Sequence, residues 1–188
     1  MVSLFALKAT YGVGMEDKDS GGEWTPEQVL TLITLVAWSG WPTTEPEHDN
    51  YFQRLGLRQL PGASQEGKSP TIVGGILADS ASSTPLGSWM TYEDKLVGIS
   101  LFLQQGEHRP ATRTSDVFGS IHSLIRAGFG EPLDDTVQPS GNASALWKVN
   151  GTAIELYSHL KPPAAVQVGL TNIERTSAVE RPSATGNL

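Results

Sequence analysis

The sequence contains no cysteine among its 188 residues. This absence excludes disulfide bonds, thiolate catalysis and cysteine-ligated zinc. It is typical of proteins that fold in a reducing compartment, so we expect a cytoplasmic location. The N-terminal stretch MVSLFALKATYGVG has neither a basic region nor a small-residue cleavage site, and it does not match a secretory signal peptide.

Basic residues and long apolar runs are also scarce. The chain has 13 Lys and Arg against 20 Asp and Glu, which gives a net charge of −7. Because phosphate contacts dominate nucleic-acid affinity, this balance argues against a nucleic-acid partner. It suits a basic protein partner, and it equally suits solubility alone. No apolar run approaches the ~20 residues of a membrane span, so no membrane partner is expected.

Two segments have the periodicity of amphipathic helices. In WTPEQVLTLITLVAWSGWP, Thr25 can cap the first turn, Pro26 suits the first helical position and Gln28 completes a capping box. The second segment, DVFGSIHSLIRAGFGEP, is expected to end at Gly128. Each segment has four apolar residues at helical spacing: Val29, Leu32, Ile33 and Val36 in the first, and Phe118, Ile121, Leu124 and Ile125 in the second.

Three segments with strand character follow each helix, and Asn150-Gly151 is a strong β-hairpin signal between two of them. We therefore predict an α+β fold of two tandem α-βββ units, with two main helices packed against antiparallel strands. The two units share one sheet or form two abutting sheets. The predicted strands are residues 51–60, 71–78 and 95–104 in the first unit, and 145–149, 152–157 and 164–173 in the second.

The predicted domain covers residues 1–173, with pseudo-repeat halves at about 24–105 and 114–173. Residues 79–88 are expected to form a flexible loop. Residues 174–188 have little to bury, and we expect a disordered tail.

Motifs for catalysis and cofactor binding are missing from the sequence: it has no GxSxG elbow, Walker loop or dinucleotide fingerprint. No histidine is followed by a metal-ligating residue at helical spacing, so we expect no metal, no cofactor and no catalytic residue. His48 is expected to be solvated in an acidic turn, residues 43–50, and His122 to be structural or exposed. Carboxylates cluster at Glu45, Glu47 and Asp49, and at Glu131, Asp134 and Asp135; a small hydrolase would need two of them facing across a cleft.

The five tryptophans are candidates for the core or for an interface. Trp24, Trp38 and Trp147 lie on or beside predicted helices and strands, which favours the core. Trp41 and Trp89 fall in predicted loops, where a tryptophan either packs down onto the core or anchors an interface.

The N-terminal segment combines a cation and an aromatic residue with flexible glycines, at Lys8, Thr10, Tyr11 and Gly12. One interpretation is an ordinary edge strand with a turn. The other is a protruding arm that reaches into the cleft of a partner, where Lys8 occupies a polar site.

Four features together resemble a group of small actinobacterial proteins: WTPEQVLTLITLVAWSGW, DVFGSIHSLIRAGFGEP, a tryptophan on the next strand, and the IEL…VQVGL ending. Over about residues 24–173 the chain is similar to immunity proteins that neutralise secreted toxins, including those directed at NAD glycohydrolases such as the tuberculosis necrotizing toxin. The resemblance implies a cytoplasmic antitoxin that forms a 1:1 complex with the toxin domain and blocks its active site without catalysis of its own.

Two segments supply the predicted toxin-binding residues: Lys8, Thr10, Tyr11 and Gly12 in the arm, and Glu45, Glu47 and Asp49 in the acidic turn. The alternative function is a secretion chaperone or adaptor that binds an extended segment of a client protein. A third hypothesis is a small enzyme that uses the carboxylates of the acidic loops.

Overall fold

The computed structural model describes residues 24–61, 65–66, 72–82, 84–106, 111–161 and 164–180, with the backbone alone at 65–66 and 104–106. None of the helices in these ranges is long and apolar enough to cross a membrane. The predicted arm, with Lys8, Thr10, Tyr11 and Gly12, lies outside the described residues, and so do residues 181–188 of the predicted tail.

Four α-helices, one 3-10 turn and nine strands make up the described chain. The helices are α1 (Pro26–Ser39), α2 (His48–Arg54), α3 (Ala111–Phe129) and α4 (Ile173–Glu180), and the 3-10 turn is Glu45–Glu47. The strands are β1 (Leu57–Gln59), β2 (Gln65–Glu66), β3 (Ile72–Asp79), β4 (Pro85–Tyr92), β5 (Lys95–Gly106), β6 (Asp134–Val137), β7 (Ala143–Val149), β8 (Thr152–His159) and β9 (Ala164–Asn172).

All the strands join one antiparallel sheet in the order β1-β3-β4-β5-β9-β8-β7-β6, with β2 pairing β3. At its centre β5 pairs with β9, where Ile99 lies opposite Leu170 and Leu101 opposite Val168. The order outward from β5 mirrors the order outward from β9. The predicted α+β fold is confirmed, and the strands of both halves form one continuous sheet.

The main core lies between one face of this sheet and helices α1, α2 and α3. The predicted apolar stripe of α1 is at most 2% exposed, and Ile121 and Ile125 of α3 are fully buried. These residues form one cluster with strand residues from both halves, including Leu77, Ile99 and Leu156. Burial of these side chains is the main favourable contribution to folding, at ~25 cal/mol per Å² of apolar surface.

The ends of the two long helices follow local sequence rules. The predicted capping box is present: Thr25 Oγ1 accepts from the Gln28 amide at 3.3 Å, and Gln28 Oε1 accepts from the Thr25 amide at 2.8 Å. Helix α3 continues past Gly128 and ends at Phe129, because Gly130, with φ of 89°, takes the left-handed conformation that stops the helix. The Asn150-Gly151 hairpin is confirmed, with positive φ at both residues.

The prediction of a strand over residues 51–60 was wrong. The segment forms α2 and then the short strand β1. Tyr51, Phe52 and Leu55 are all buried, and their spacing fits a helical face better than strand alternation. Gly56, expected to mark a bulge, instead has φ of 72° and ends the helix.

Three strands and a helix were missed: β2, β4, β6 and α4. Residues 85–88, assigned to a flexible loop, begin β4, which pairs with β3 and β5. The strand fits there because Gly75 lies under the Trp89 ring: a Cβ at Gly75 would lie 2.6 Å from Trp89 Nε1. At one edge of the sheet, β6 pairs with β7 although all four of its residues are exposed. Part of the predicted disordered tail forms α4.

Arg175 holds α4 against the rest of the protein. Its guanidinium donates to the carbonyls of Pro42 at 2.6 Å, Leu96 at 2.7 Å and Trp41 at 3.3 Å. Burial lowers the pKa of Arg175, while the charge of Glu174 opposes the shift. One side chain therefore joins the C-terminal helix to the loop after α1 and to the start of β5.

We predict that Arg175→Met lowers the free energy of unfolding by about 2–3 kcal/mol, because it removes charge-assisted hydrogen bonds and leaves carbonyls unsatisfied. Urea denaturation measures the change. The matched control is Arg126→Met, whose guanidinium pairs with Glu131 on the surface; it is expected to change stability by no more than about 0.5 kcal/mol. Equal losses in the two variants would contradict the prediction.

Candidate functional site

The connection between α1 and α2 contains a shallow, open groove of about 350 Å³. Its lining combines polar side chains with backbone at the end of α1: Ser39, Gly40, Trp41, Pro42, Glu47, Asn50 and Arg54. Two exposed apolar residues, Leu35 and Trp38, lie on α1 just before it. We call the groove together with Leu35 and Trp38 the corner surface.

Trp38 is 67% exposed and Leu35 is 40% exposed. Residues three apart on a helix are neighbours, so the two side chains lie on the same outer side of α1. The sequence favoured the core for Trp38, and the structure contradicts this, since the buried stripe of α1 is formed by other residues. An exposed tryptophan beside a groove is typical of an interface anchor, because tryptophan is enriched among residues that dominate binding energy.

The second tryptophan of the corner surface, Trp41, packs down onto the protein. Its Nε1 donates to Thr152 Oγ1 at 2.9 Å, and its ring centroid lies 6.3 Å from that of Tyr51. Trp89 is likewise only 8% exposed. Of the two interpretations of Trp41 and Trp89, packing onto the core is the one the structure supports. Trp41 therefore fixes one wall of the groove against β8.

The acidic turn holds the other side of the corner surface. Glu47 Oε2 accepts from the backbone amides of Thr43 at 2.7 Å and Thr44 at 3.3 Å, and these hydrogen bonds lower the pKa of Glu47. Asp49 accepts from the Gln59 side chain at 2.9 Å, and Glu45 is exposed. The three predicted carboxylates thus lie on one turn, where Glu47 closes the turn and Asp49 joins it to Gln59 of β1.

His48 lies beneath this turn and is only 2% exposed, so the expectation of a solvated histidine was wrong. Its ring centroid lies 6.1 Å from that of Trp89 and 6.4 Å from that of Phe52, and Nε2 has no hydrogen-bond partner within the part of the chain that the structure describes. Burial lowers the pKa of His48, and the nearby carboxylates, Glu45 first, partly oppose the shift. A neutral imidazole therefore supports the acidic turn.

Two carboxylates of the second cluster, Glu131 and Asp135, contact side chains of α3. Asp135 Oδ2 lies 3.2 Å from His122 Nε2, and Glu131 accepts from Arg126 at 2.6 Å. His122 stacks on Phe118, so it joins the edge strand β6 to α3. Among the residues that the structure describes, no three His, Asp or Glu side chains are grouped so that they could hold a metal ion.

Comparisons with known proteins give little further information. No family model matches the chain, and no curated protein matches it. Among solved structures, the chain is similar to a DUF4309 family protein (YjgB) from Bacillus subtilis, with 11% sequence identity and a TM-score of 0.37, covering 79% of this chain and 97% of that one. At this identity and TM-score, the likeness supports no conclusion about the fold or function of this chain.

We predict that stability falls on mild acidification because of His48. Its pKa is lowered in the folded protein, so the unfolded chain binds the proton first as the pH drops below about 6.5. The contribution of His48 to the free energy of unfolding is therefore fully present above this pH. Below it, this contribution decreases by at most about 1.4 kcal/mol per pH unit.

Urea denaturation of wild type and His48→Leu between pH 7.5 and 5.5 measures the effect. The difference between the two slopes isolates His48 from the other titrating groups. Gln53→Leu, an exposed position on the same helix, is the matched control and keeps the wild-type slope. A His48→Leu variant whose stability falls as steeply as that of wild type would show that another group is responsible.

Proposed function

We propose that this protein is a cytoplasmic immunity protein that binds a folded, NAD-hydrolysing toxin domain in a 1:1 complex and blocks its active site, without catalysis of its own. The observation that carries the proposal is the exposure of Trp38 beside the groove of the corner surface. The resemblance of the helix and hairpin segments to immunity proteins supports the identity of the partner.

The energetics of binding favour a rigid anchor of this kind. A buried tryptophan at the centre of an interface contributes 2 kcal/mol or more when tested by truncation to alanine. Trp38 projects from a helix whose start is capped and whose opposite side is buried in the core. Because the helix is already ordered, little conformational entropy is lost when the side chain binds.

Contacts with β8, contacts with α4 and hydrogen bonds within the acidic turn fix the lining of the groove. Trp41 is fixed to Thr152 of β8, and Arg175 binds the carbonyls of Trp41 and Pro42. The turn that carries Glu47 is closed by backbone hydrogen bonds. A preorganised concave surface of this kind suits the binding of a folded protein, which presents a fixed shape.

The acidic groups next to the corner surface favour a partner with a basic surface. Glu45 and Asp49 are exposed on the acidic turn that carries the lining residue Glu47, and the whole chain has a net charge of −7. Acidic groups steer basic surfaces into encounter and raise association rates. A protein seated over the cleft of an NAD-hydrolysing enzyme inhibits by excluding the substrate, which requires no chemistry from the inhibitor.

A secretion chaperone or adaptor is the second candidate, and a specific observation favours it. The edge strand β6 is exposed along its length, with Val137 73% exposed and Leu133 next to the strand 65% exposed. An exposed edge offers unpaired backbone groups to an extended segment, which adds to the sheet as a further strand. Such a partner would bind at β6, on a different element from the corner surface.

We predict that Trp38→Ala weakens binding of the toxin domain at least 30-fold, which is about 2 kcal/mol, and leaves the unfolding midpoint nearly unchanged because the side chain is exposed. Isothermal titration calorimetry measures affinity and stoichiometry. Val137→Pro is the matched control on the edge strand; it removes a backbone donor and an exposed apolar side chain, and it should leave this affinity unchanged.

The two candidates are separated by the same pair of variants. Loss of binding in Val137→Pro together with wild-type affinity in Trp38→Ala would overturn the corner surface in favour of strand addition at β6. Wild-type affinity in both variants would remove both surfaces from the interface.

A further inference from the structure

The second face of the sheet carries a polar cluster at its centre. Helices α1, α2 and α3 pack on the other face, so side chains that alternate with the core residues of β5, β8 and β9 point away from these helices. Across the three strands, Ser100 lies opposite Gly169, and Gly169 lies opposite Glu155. In the next row, Gln167 lies opposite Tyr157.

Hydrogen bonds connect these strands. Gln167 Nε2 donates to Ser100 Oγ at 3.0 Å, and Gln167 Oε1 lies 3.1 Å from His159 Nε2. The ring of Tyr157 stacks on that of His159, with centroids 6.1 Å apart. Ser100 is 2% exposed, whereas Glu155, Tyr157, His159 and Gln167 are half-buried. The cluster is ordered and still reachable from solvent along β8.

Glu155 lies over the backbone of its neighbouring strand. A Cβ built on Gly169 would be 3.2 Å from Glu155 Oε2, a closer approach than side chains normally make. The glycine therefore leaves the space that this carboxylate occupies. We call the region formed by Glu155, Gly169, Ser100 and Tyr157 the Glu155 notch.

The carboxylate in the notch is held at an energetic cost. Burial raises the pKa of Glu155, although a hydrogen bond with the Tyr157 side chain favours the ionised form. No positively charged side chain is among the groups that shift this pKa. A half-buried carboxylate without a cation destabilises a fold, and such groups are concentrated at functional sites.

We infer that the Glu155 notch receives a lysine or arginine side chain of a protein partner. The half-buried carboxylate of Glu155 is an acceptor for the several N–H donors of an ammonium or guanidinium group, which would supply the missing positive charge. The notch lies on the opposite face of the sheet from α1, so it is a contact separate from the corner surface. This inference rests on the proposed function only because it assumes that the lysine or arginine belongs to a protein partner.

The test combines two measurements that need no toxin. Glu155→Gln keeps the shape of the side chain and removes its charge, so the melting temperature at pH 7 should rise, and the gain should disappear below about pH 4.5, where an unfolded glutamate is protonated. In amide NMR titrations, acetyl-Gly-Arg-Gly-amide should shift the signals of Ser100, Tyr157 and Gly169. The uncharged citrulline analogue should not.

Three variants make the test specific. Glu155→Gln should abolish the arginine-dependent shifts, and Gly169→Ala should weaken them, because the added Cβ displaces the carboxylate that lies over this glycine. Glu180→Gln, an exposed carboxylate on α4, is the matched control and should keep them. Equal shifts with both peptides, shifts retained in Glu155→Gln, or a lower melting temperature in that variant would each overturn the inference. Failure of the corner surface to bind a toxin leaves these results unaffected.

Discussion

The antiparallel pairing of β5 with β9 joins the two halves of the chain, and the apolar side chains of both halves meet along it. Ile99, Leu101, Val168 and Leu170 lie at this seam and are at most 1% exposed. Helices α1 and α3 pack over the same face of the sheet, so neither half buries its helix alone. A sheet divided at this seam would expose two new edges and the centre of the core, and we therefore expect the described chain to unfold as one cooperative unit.

One-sided packing determines where a partner can bind. Because the helices share a face, the outer side of α1 carries the exposed side chains of Trp38 and Leu35, just before the residues that line the groove. The other face of the sheet carries the Glu155 notch, and the edge strand β6 carries Val137. Around the corner surface, the half-buried Arg175 binds backbone carbonyls and Trp41 binds the side chain of Thr152. The corner surface, the Glu155 notch and the β6 edge are thus the three places where we propose that a partner binds.

Much of the fold was predictable because its determinants are local. The capping box at Thr25 and the Asn150-Gly151 turn are sequence signals with direct physical causes, and both were confirmed. The failures have two causes. The spacing of Tyr51, Phe52 and Leu55 fits a helical face and was misread as a strand. By contrast, β4 is ordered by tertiary contacts, through pairing on both sides and the fit of Trp89 over Gly75. For the candidate site, the sequence singled out Glu45, Glu47 and Asp49, but the exposure of Trp38 was missed. Its place in the helical repeat, on the side of α1 opposite the predicted stripe, was a signal for that exposure, and the preference of tryptophan for the core was followed instead.

The most direct test of the account is a titration of this protein into an NAD glycohydrolase assay with the toxin domain encoded beside its gene. An immunity protein that covers the active site predicts complete inhibition, reached at one molar equivalent when the toxin concentration is well above the dissociation constant. Full NAD hydrolysis in the presence of excess protein, with no co-elution of the two chains, would contradict the claim that this scaffold neutralises an NAD-hydrolysing toxin.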